Sequence, residues 1–308
     1  MSHIYIYSPS SAVRDKAAFR RGVKRLQRLG HDVEIDEAAL CSHMRFAGDD
    51  DTRLAAISRA AASGADVALI SRGGYGLTRI LPRLPYKSLA KAIDRGVQFV
   101  GLSDFTALQT ALLAKTGAVS WAGPALGEDF GAEAPDDIME DCFADLLDGR
   151  GEGAGWVLPK KDLPCLTAKP GDEARLHLGQ ATLWGGNLSV LCSMVGTPWM
   201  PDVKNGVLFL EDVNEHPYRI ERQLTQLLHA GILGRQKLIV LGSFNRFKPV
   251  AHDRGFKLQT VVDWLRSQVR TPVLTGLPFG HVPTKVLLPV GASVEVMVQG
   301  RDALIFWG

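Results

Sequence analysis

Three residues at the ends of apolar runs carry the chemistry open to this chain. They are Ser103 in GLSDFTAL (101–108), a carboxylate in LFLEDVNEHPYR (208–219) and His281 in LPFGHVPTK (277–285). A hydroxyl, an acid and an imidazole supply a nucleophile, an orienting group and a general base for acyl transfer. Ser103 follows the apolar run VQFVGL and precedes FTALQTALLAKTG, a strand–turn–helix corner of the kind that lifts a side-chain oxygen off a sheet. The G-x-S-x-G pattern of such corners fails at its last position, where Phe105 stands. An N-cap serine, bonding the free N–H groups of a first helical turn, explains Ser103 equally well from local sequence. On the nucleophile reading, the backbone N–H of Asp104 is the natural first oxyanion donor, and its side chain suits the first turn of a helix.

Two carboxylates compete for the orienting role. Glu211 closes a very apolar strand, where a charge is costly unless something bonds it, and holding a histidine is one good reason for its presence. Glu215 stands just before Pro217 at a helix start, where the helix dipole explains it adequately. Glu211 is therefore the stronger choice, and His216 reads as a surface or interface residue. His281, clamped between Gly280 and Pro283, suits a positioned base worth roughly 10²–10⁴-fold in rate, although a lone loop histidine is often structural.

RGGYG (72–76) ends another strand but lacks the Lys-Ser/Thr of a phosphate-binding P-loop and does not match G-x-G-x-x-G. Its adjacent glycines let backbone approach a substrate closely. Gly74 is the candidate second oxyanion donor, and Gly73 and Arg72 are candidate substrate contacts; a plain turn is the alternative. Arg72 and Arg219 could each grip a carboxylate bidentately, or simply form salt bridges. No metal is expected: H-E-x-x-H is absent, and His31 and Glu34 point to opposite faces of a predicted strand.

The elements that must position these groups alternate in the first half. IYIYS, HDVEI, ADVALISR and VQFVGLSD read as strands, and the segments between them as amphipathic helices. This rhythm predicts an α/β fold with a mostly parallel sheet, whose sites lie at the carboxyl ends of strands. Gly, Pro and charge concentrate in 149–175, predicting a linker between an N-terminal domain (1–148) and a smaller β-rich C-terminal domain (176–308). In that second part PYRIERQLTQLLHAG is the strong helix; ATLWGGNLSVLCSMVG and KVLLPVGASVEVMV read as strands.

The 308 residues suffice for two cores, and 46% apolar with 22% charged residues is ordinary globular composition. A net charge of +2 gives no electrostatic case for nucleic acid or an anionic membrane. The basic run RRGVKRLQR (20–28) reads as the solvated face of a helix. Four scattered cysteines without C-x-x-C argue against a zinc cluster or disulfide scaffold and fit a reducing compartment. The start has no signal-peptide pattern, and no apolar run nears the roughly 20 residues of a membrane span, so a cytoplasmic location is expected.

IYSPSS (6–11), SRGGYG (71–76), GLSDFTAL, GPAL (123–126), LWGGNLSVL (183–191), LFLEDVNEHPYRIERQL and LPFGHVPTK together resemble the LD-carboxypeptidase family of serine peptidases, the muramoyltetrapeptide carboxypeptidases. The likeness runs in order across essentially the whole chain. It places the family's nucleophile on Ser103, its glutamate on Glu211 and its histidine on His281. Leu102 departs from the family pattern, which often has an aromatic residue there. The resemblance implies two domains, a homodimer, no metal or cofactor, and release of D-alanine from murein tetrapeptide, free or carried on a muramoyl or UDP-linked sugar. A second branch resembles the microcin C immunity peptidases, which cleave aminoacyl-nucleotide amides with the same triad. A non-catalytic two-lobed small-molecule binding protein would also fit the α/β pattern.

Overall fold

A computed structural model describes residues 1–167 and 172–307. The chain forms two compact units. The first comprises Met1–Gly151, Pro198–Pro201 and Pro283–Gly291; the second comprises Glu152–Thr197, Asp202–Val282 and Ala292–Gly308.

The first unit alternates strand and helix as its sequence period predicts: β1 (His3–Tyr7), α1 (Lys16–Arg28), β2 (Asp32–Ile35), α2 (Asp50–Ala62), β3 (Val67–Ile70), α3 (Leu77–Ile80), α4 (Tyr86–Asp94), β4 (Gln98–Gly101), α5 (Thr106–Thr116), β5 (Ser120–Ala122) and α6 (Asp137–Leu147). β11 (Leu288–Val290) returns from late in the chain, and the sheet runs β11-β5-β4-β3-β1-β2. β1 to β5 pair in parallel, while β11 runs antiparallel at the edge. Ile4, Ile6, Val67, Leu69 and Val100 meet Phe19, Val23, Leu26, Leu126, Phe130 and Phe143 in one buried cluster. Each such side chain contributes about 1.5–3 kcal/mol on burial. On α1, Arg20, Arg21 and Lys24 face solvent, and Arg25 pairs with Glu140. The basic run is thus the outer face of a packed helix. β2 and β3 flank β1 on opposite sides, so the loops after β1 and β3 diverge and open a crevice at the carboxyl end of the sheet.

The second unit contains β6 (Gly153–Val157), β7 (Arg175–Asn187), α7 (Leu188–Met194), β8 (Val207–Val213), α8 (Pro217–His229), β9 (Leu238–Asn245), α9 (Leu258–Gln268), β10 (Val273–Thr275), β12 (Ser293–Gln299) and β13 (Asp302–Phe306). Its sheet order is β10-β9-β8-β7-β12-β13-β6. β7 to β10 are parallel; β7, β12, β13 and β6 are antiparallel. The fully apolar run VLFL in β8 suits a central parallel strand covered on both faces.

Three local expectations change. Much of 149–175 is built into the second unit: β6 pairs with β13, and buried Asp162 accepts hydrogen bonds from Arg266, Thr275 N–H and Thr275 Oγ1. Gly and Pro here mark an edge strand and a 3-10 turn, where loose composition is tolerated. Part of TAKPGDEAR, residues 168–171, lies outside the described residues. NLSVLCSM, read as strand, contains α7, capped by Asn187 accepting from Val190 N–H. KVLLPVGASVEVMV divides at Gly291 into β11 and β12, which serve different sheets.

Candidate active site

In the first unit, β4 ends at Gly101, and a 3-10 turn (Ser103–Phe105) leads into α5. Ser103 has φ = +68°, a left-handed conformation uncommon for a residue with a Cβ. Its side chain caps neither the turn nor α5, so the N-cap alternative does not describe this serine. Such backbone is held only where the surroundings over-determine it, at a cost of order 1–3 kcal/mol.

Those surroundings are visible. Phe105 is fully buried, and its ring lies 2.6 Å from where a Cβ on Gly101 would stand. The corner therefore needs its glycine at 101 and fills position 105 with core. A Cβ on Gly73 would fall 2.6 Å from Ser103 Cβ and 3.0 Å from its Oγ, so the RGGYG backbone passes directly against the serine. Asp104 is buried and accepts from Leu77 N–H (2.7 Å) and Ser10 Oγ (3.2 Å). Burial pushes its carboxyl up, while donors at Leu77, Ser10 and Gly76 pull it down. Buried Arg53 donates to Gly76 O (2.7 Å), and Ser11 Oγ donates to Tyr75 O (3.1 Å). IYSPSS and Arg53 thus pin the glycine loop beside Ser103. Sequence reasoning gave Arg53 no role, because an arginine in a helical run looks like surface until its burial is known.

In the second unit, Glu211 and His281 meet. Glu211 is 0% exposed, and its Oε2 lies 2.8 Å from His281 Nδ1. Its other oxygen accepts from Asn187 Nδ2 (3.1 Å). The same amide donates to Asp212 Oδ1 (3.0 Å), and Asp212 Oδ2 accepts from Ser189 N–H and Ser189 Oγ. Burial pushes the Asp212 carboxyl up, and the Glu211 charge adds to that push against the Ser189 and Val213 donors. The β8–β9 register shifts between Leu210 and Asp212, so Glu211 sits at an irregularity of the kind that re-aims a side chain. Gly280 has φ = +129°, and a Cβ there would lie 3.2 Å from Glu211 Oε2. Asn245 Nδ2 donates to His281 O (2.9 Å), fixing the histidine's backbone. Asn187 and Asn245 were missed as site residues; the segment around Asn187 was read as strand, and neither its cap nor its contact with Glu211 was foreseen.

The remaining candidates are placed differently. Glu215 lies 3.8 Å from Arg219 in an i,i+4 pair and takes no part in the His281 contact. His216 is mostly buried, 3.1 Å from Asp253 and packed on Tyr218 and Phe247, rather than displayed on the surface. Gly74 has φ = +86° and backs onto Ser11. Arg72 donates to Ala12 O (3.1 Å) and lies 3.9 Å from Glu128. Among the described residues, no group of three His, Cys, Asp or Glu could hold a metal ion, and no helix is long and apolar enough to cross a membrane.

Comparison with known proteins agrees with this architecture. Residues 4–123 match the LD-carboxypeptidase N-terminal domain, and residues 180–296 the LD-carboxypeptidase C-terminal domain. The "probable murein peptide carboxypeptidase" of Bacillus subtilis is 29% identical over 91% of this chain and 84% of its own length. The microcin C7 self-immunity protein MccF of Escherichia coli is 26% identical over 97% of this chain and 90% of its own. The crystal structure of muramoyltetrapeptide carboxypeptidase from Oxalobacter formigenes superposes with a TM-score of 0.85 at 38% identity, covering 100% of this chain and 99% of that one. With both domains matched in order along most of its length, this chain belongs to the LD-carboxypeptidase family of peptidases.

Proposed function

We propose that the protein is a cytoplasmic serine-type LD-carboxypeptidase that removes the terminal D-alanine from murein tetrapeptides, with Ser103, His281 and Glu211 as its triad. The observation that carries this reading is the 2.8 Å contact between His281 Nδ1 and the wholly buried Glu211. A buried carboxylate is expensive unless it is bonded, and this one is spent on orienting an imidazole. In this reading Glu211 orients the imidazole through Nδ1, and Nε2 takes the role of base.

On the same reading Ser103 is the nucleophile and the Glu211–His281 pair supplies the base. His281 Nε2 takes the Ser103 proton as Oγ attacks the carbonyl of the L-centre. The oxyanion is met by the backbone N–H groups of Asp104 and Gly74, with Gly73 against the substrate. His281 then protonates the departing nitrogen, and D-alanine leaves. Water, deprotonated by the same imidazole, hydrolyses the acyl-enzyme and releases the tripeptide. The names of the Bacillus and Oxalobacter relatives favour murein peptide as substrate; that it is taken free or sugar-linked, by a homodimer, is part of the same proposal.

Likeness to MccF supports a second substrate class, aminoacyl-nucleotide amides, for the same triad. Mass spectrometry on L-Ala-D-Glu-diaminopimelate-D-Ala and on an aminoacyl sulfamoyl nucleoside, each with EDTA, separates the two. Loss of one D-alanine from the tetrapeptide alone is the expected result. Cleavage of the nucleoside alone would move the protein to the immunity-type branch, and cleavage of neither by folded protein would favour a binding role.

A further inference from the structure

The loop between β9 and α9 (246–257, RFKPVAHDRGFK) concentrates positive charge in the second unit. It sets four cations, Arg246, Lys248, Arg254 and Lys257, against one carboxylate, Asp253, an excess larger than the net +2 of the whole chain. All four cations are exposed, and among the described residues none of them has a carboxylate partner. Asp253 is already engaged: its Oδ2 lies 3.1 Å from His216 Nε2 and accepts from Val250 N–H (2.6 Å).

The strands fix where this charge lies. β9 runs between β8, which carries Glu211, and β10, which leads to His281, and the three are parallel. Their carboxyl ends share one edge, where such sheets bind ligands. Asn245, the last residue of β9, donates to His281 O (2.9 Å), so the loop is rooted against the histidine. It is built rather than slack. Phe247 packs edge-on to His216 with ring centroids 6.3 Å apart, and Phe256 N–H closes a turn on Asp253 O (2.8 Å). Arg246 (φ = +58°) and Arg254 (φ = +47°) both stand in left-handed backbone, where glycine or asparagine would cost less. Arginine kept at such positions, with its guanidinium exposed, points to a use for the side chain.

Resting on the peptidase reading above, we infer that this loop is an electrostatic subsite for negative charge on the acyl side of the substrate, the part that stays on Ser103 while D-alanine leaves. Three residues before the scissile bond span no more than about 11 Å, and charges act across about 8–10 Å at ordinary ionic strength. Carboxylates of the peptide, and phosphates of a nucleotide-linked carrier, are the two sources of that charge. Single exposed pairs are weak, but four cations on one short loop act together on an anion. His216 occupies the loop's one acid and leaves its cations to the substrate.

The test measures kcat/KM at about 20 mM and about 500 mM salt on two matched pairs. UDP-linked muramoyl tetrapeptide against muramoyl tetrapeptide isolates the phosphates; free tetrapeptide against the same peptide amidated at D-Glu isolates a carboxylate. Wild type should favour the more anionic member of at least one pair by roughly tenfold at low salt, and lose most of that preference at high salt. The pair that responds names the source. Arg246→Gln/Lys248→Gln/Arg254→Gln/Lys257→Gln should bring the low-salt ratio near unity, chiefly through KM. Arg20→Gln/Lys24→Gln, on the outer face of α1, should keep the wild-type ratio. A preference that survives the fourfold change, or falls equally in the α1 variant, overturns the inference. Should the fourfold variant fail to fold, Lys248→Gln/Lys257→Gln leaves both left-handed positions untouched and should still lower the ratio several-fold; an unchanged ratio there overturns it too. Wild type cleaving both members of each pair equally removes the subsite alone. Wild type cleaving none of the four removes the peptidase reading, and this inference with it.

Discussion

The two units hold their candidate groups by different physical means. The first uses backbone: Ser103 sits at φ = +68°, fixed by close packing at Gly101 and Gly73 and by a loop pinned through Asp104, Arg53 and Ser11. The second uses side chains: Glu211 and His281 belong to a hydrogen-bonded set with Asn187, Asp212, Ser189 and Asn245. One side stores strain and the other satisfies buried charge. Removing a group should therefore relax the first unit and damage the second.

The largest expected effect breaks the comparison at its centre. Ser103→Gly should abolish turnover, a fall of roughly 10⁴–10⁶-fold. Because glycine accepts positive φ freely, thermal melts should show equal or higher stability, by up to about 1 kcal/mol. Glu211→Gln should cut kcat by roughly 10²–10⁴-fold and also lower the melting temperature, since an amide cannot accept at both of its former oxygens. A stabilised Glu211→Gln variant, or a destabilised Ser103→Gly variant, would contradict the contrast.

Asn187→Leu sharpens the second half. It removes the donor shared by Glu211 and Asp212 and leaves two adjacent buried carboxylates, costing about 2–4 kcal/mol by denaturant unfolding. Gly73→Ala probes the first half. Its Cβ would collide with Ser103, so kcat should fall roughly 10²-fold while stability falls by about 1–3 kcal/mol.

The smallest effect is a pH signature of Asp104. Its carboxyl is raised above the ordinary 3.8 by burial. The folded state then binds the proton more tightly than the unfolded state, and stability falls as pH rises from the ordinary value through the raised one. Asp104→Asn should lack that decline. Melting curves of both proteins from pH 3.5 upward check it, and parallel profiles would refute the assignment.

The parallel βα rhythm of the first unit was legible because β1, β3 and β4 are short apolar runs and helices such as α1 show one apolar face, as Phe19, Val23 and Leu26 do. Glu211 was legible because a charge at the end of VLFL demands a partner. What escaped depends on long-range placement. VLLPV and GASVEVMV read as one strand because apolar runs do not reveal which sheet they join; only Gly291 divides them, and Pro289 fits the edge position β11 takes. α9 was hidden by its β-branched Val261 and Val262, which tertiary packing places on a buried helical face. The roles of Arg53 and Asn187 lie in contacts 23 and 24 residues away along the chain, which no local pattern encodes.

The most direct test of the account is release of D-alanine from L-Ala-D-Glu-diaminopimelate-D-Ala in EDTA, measured for wild type and Ser103→Ala after confirming matched melting temperatures. The account predicts one D-alanine per tetrapeptide from wild type and none above background from Ser103→Ala. Undiminished release by the Ser103→Ala protein would show that the strained serine is not the nucleophile.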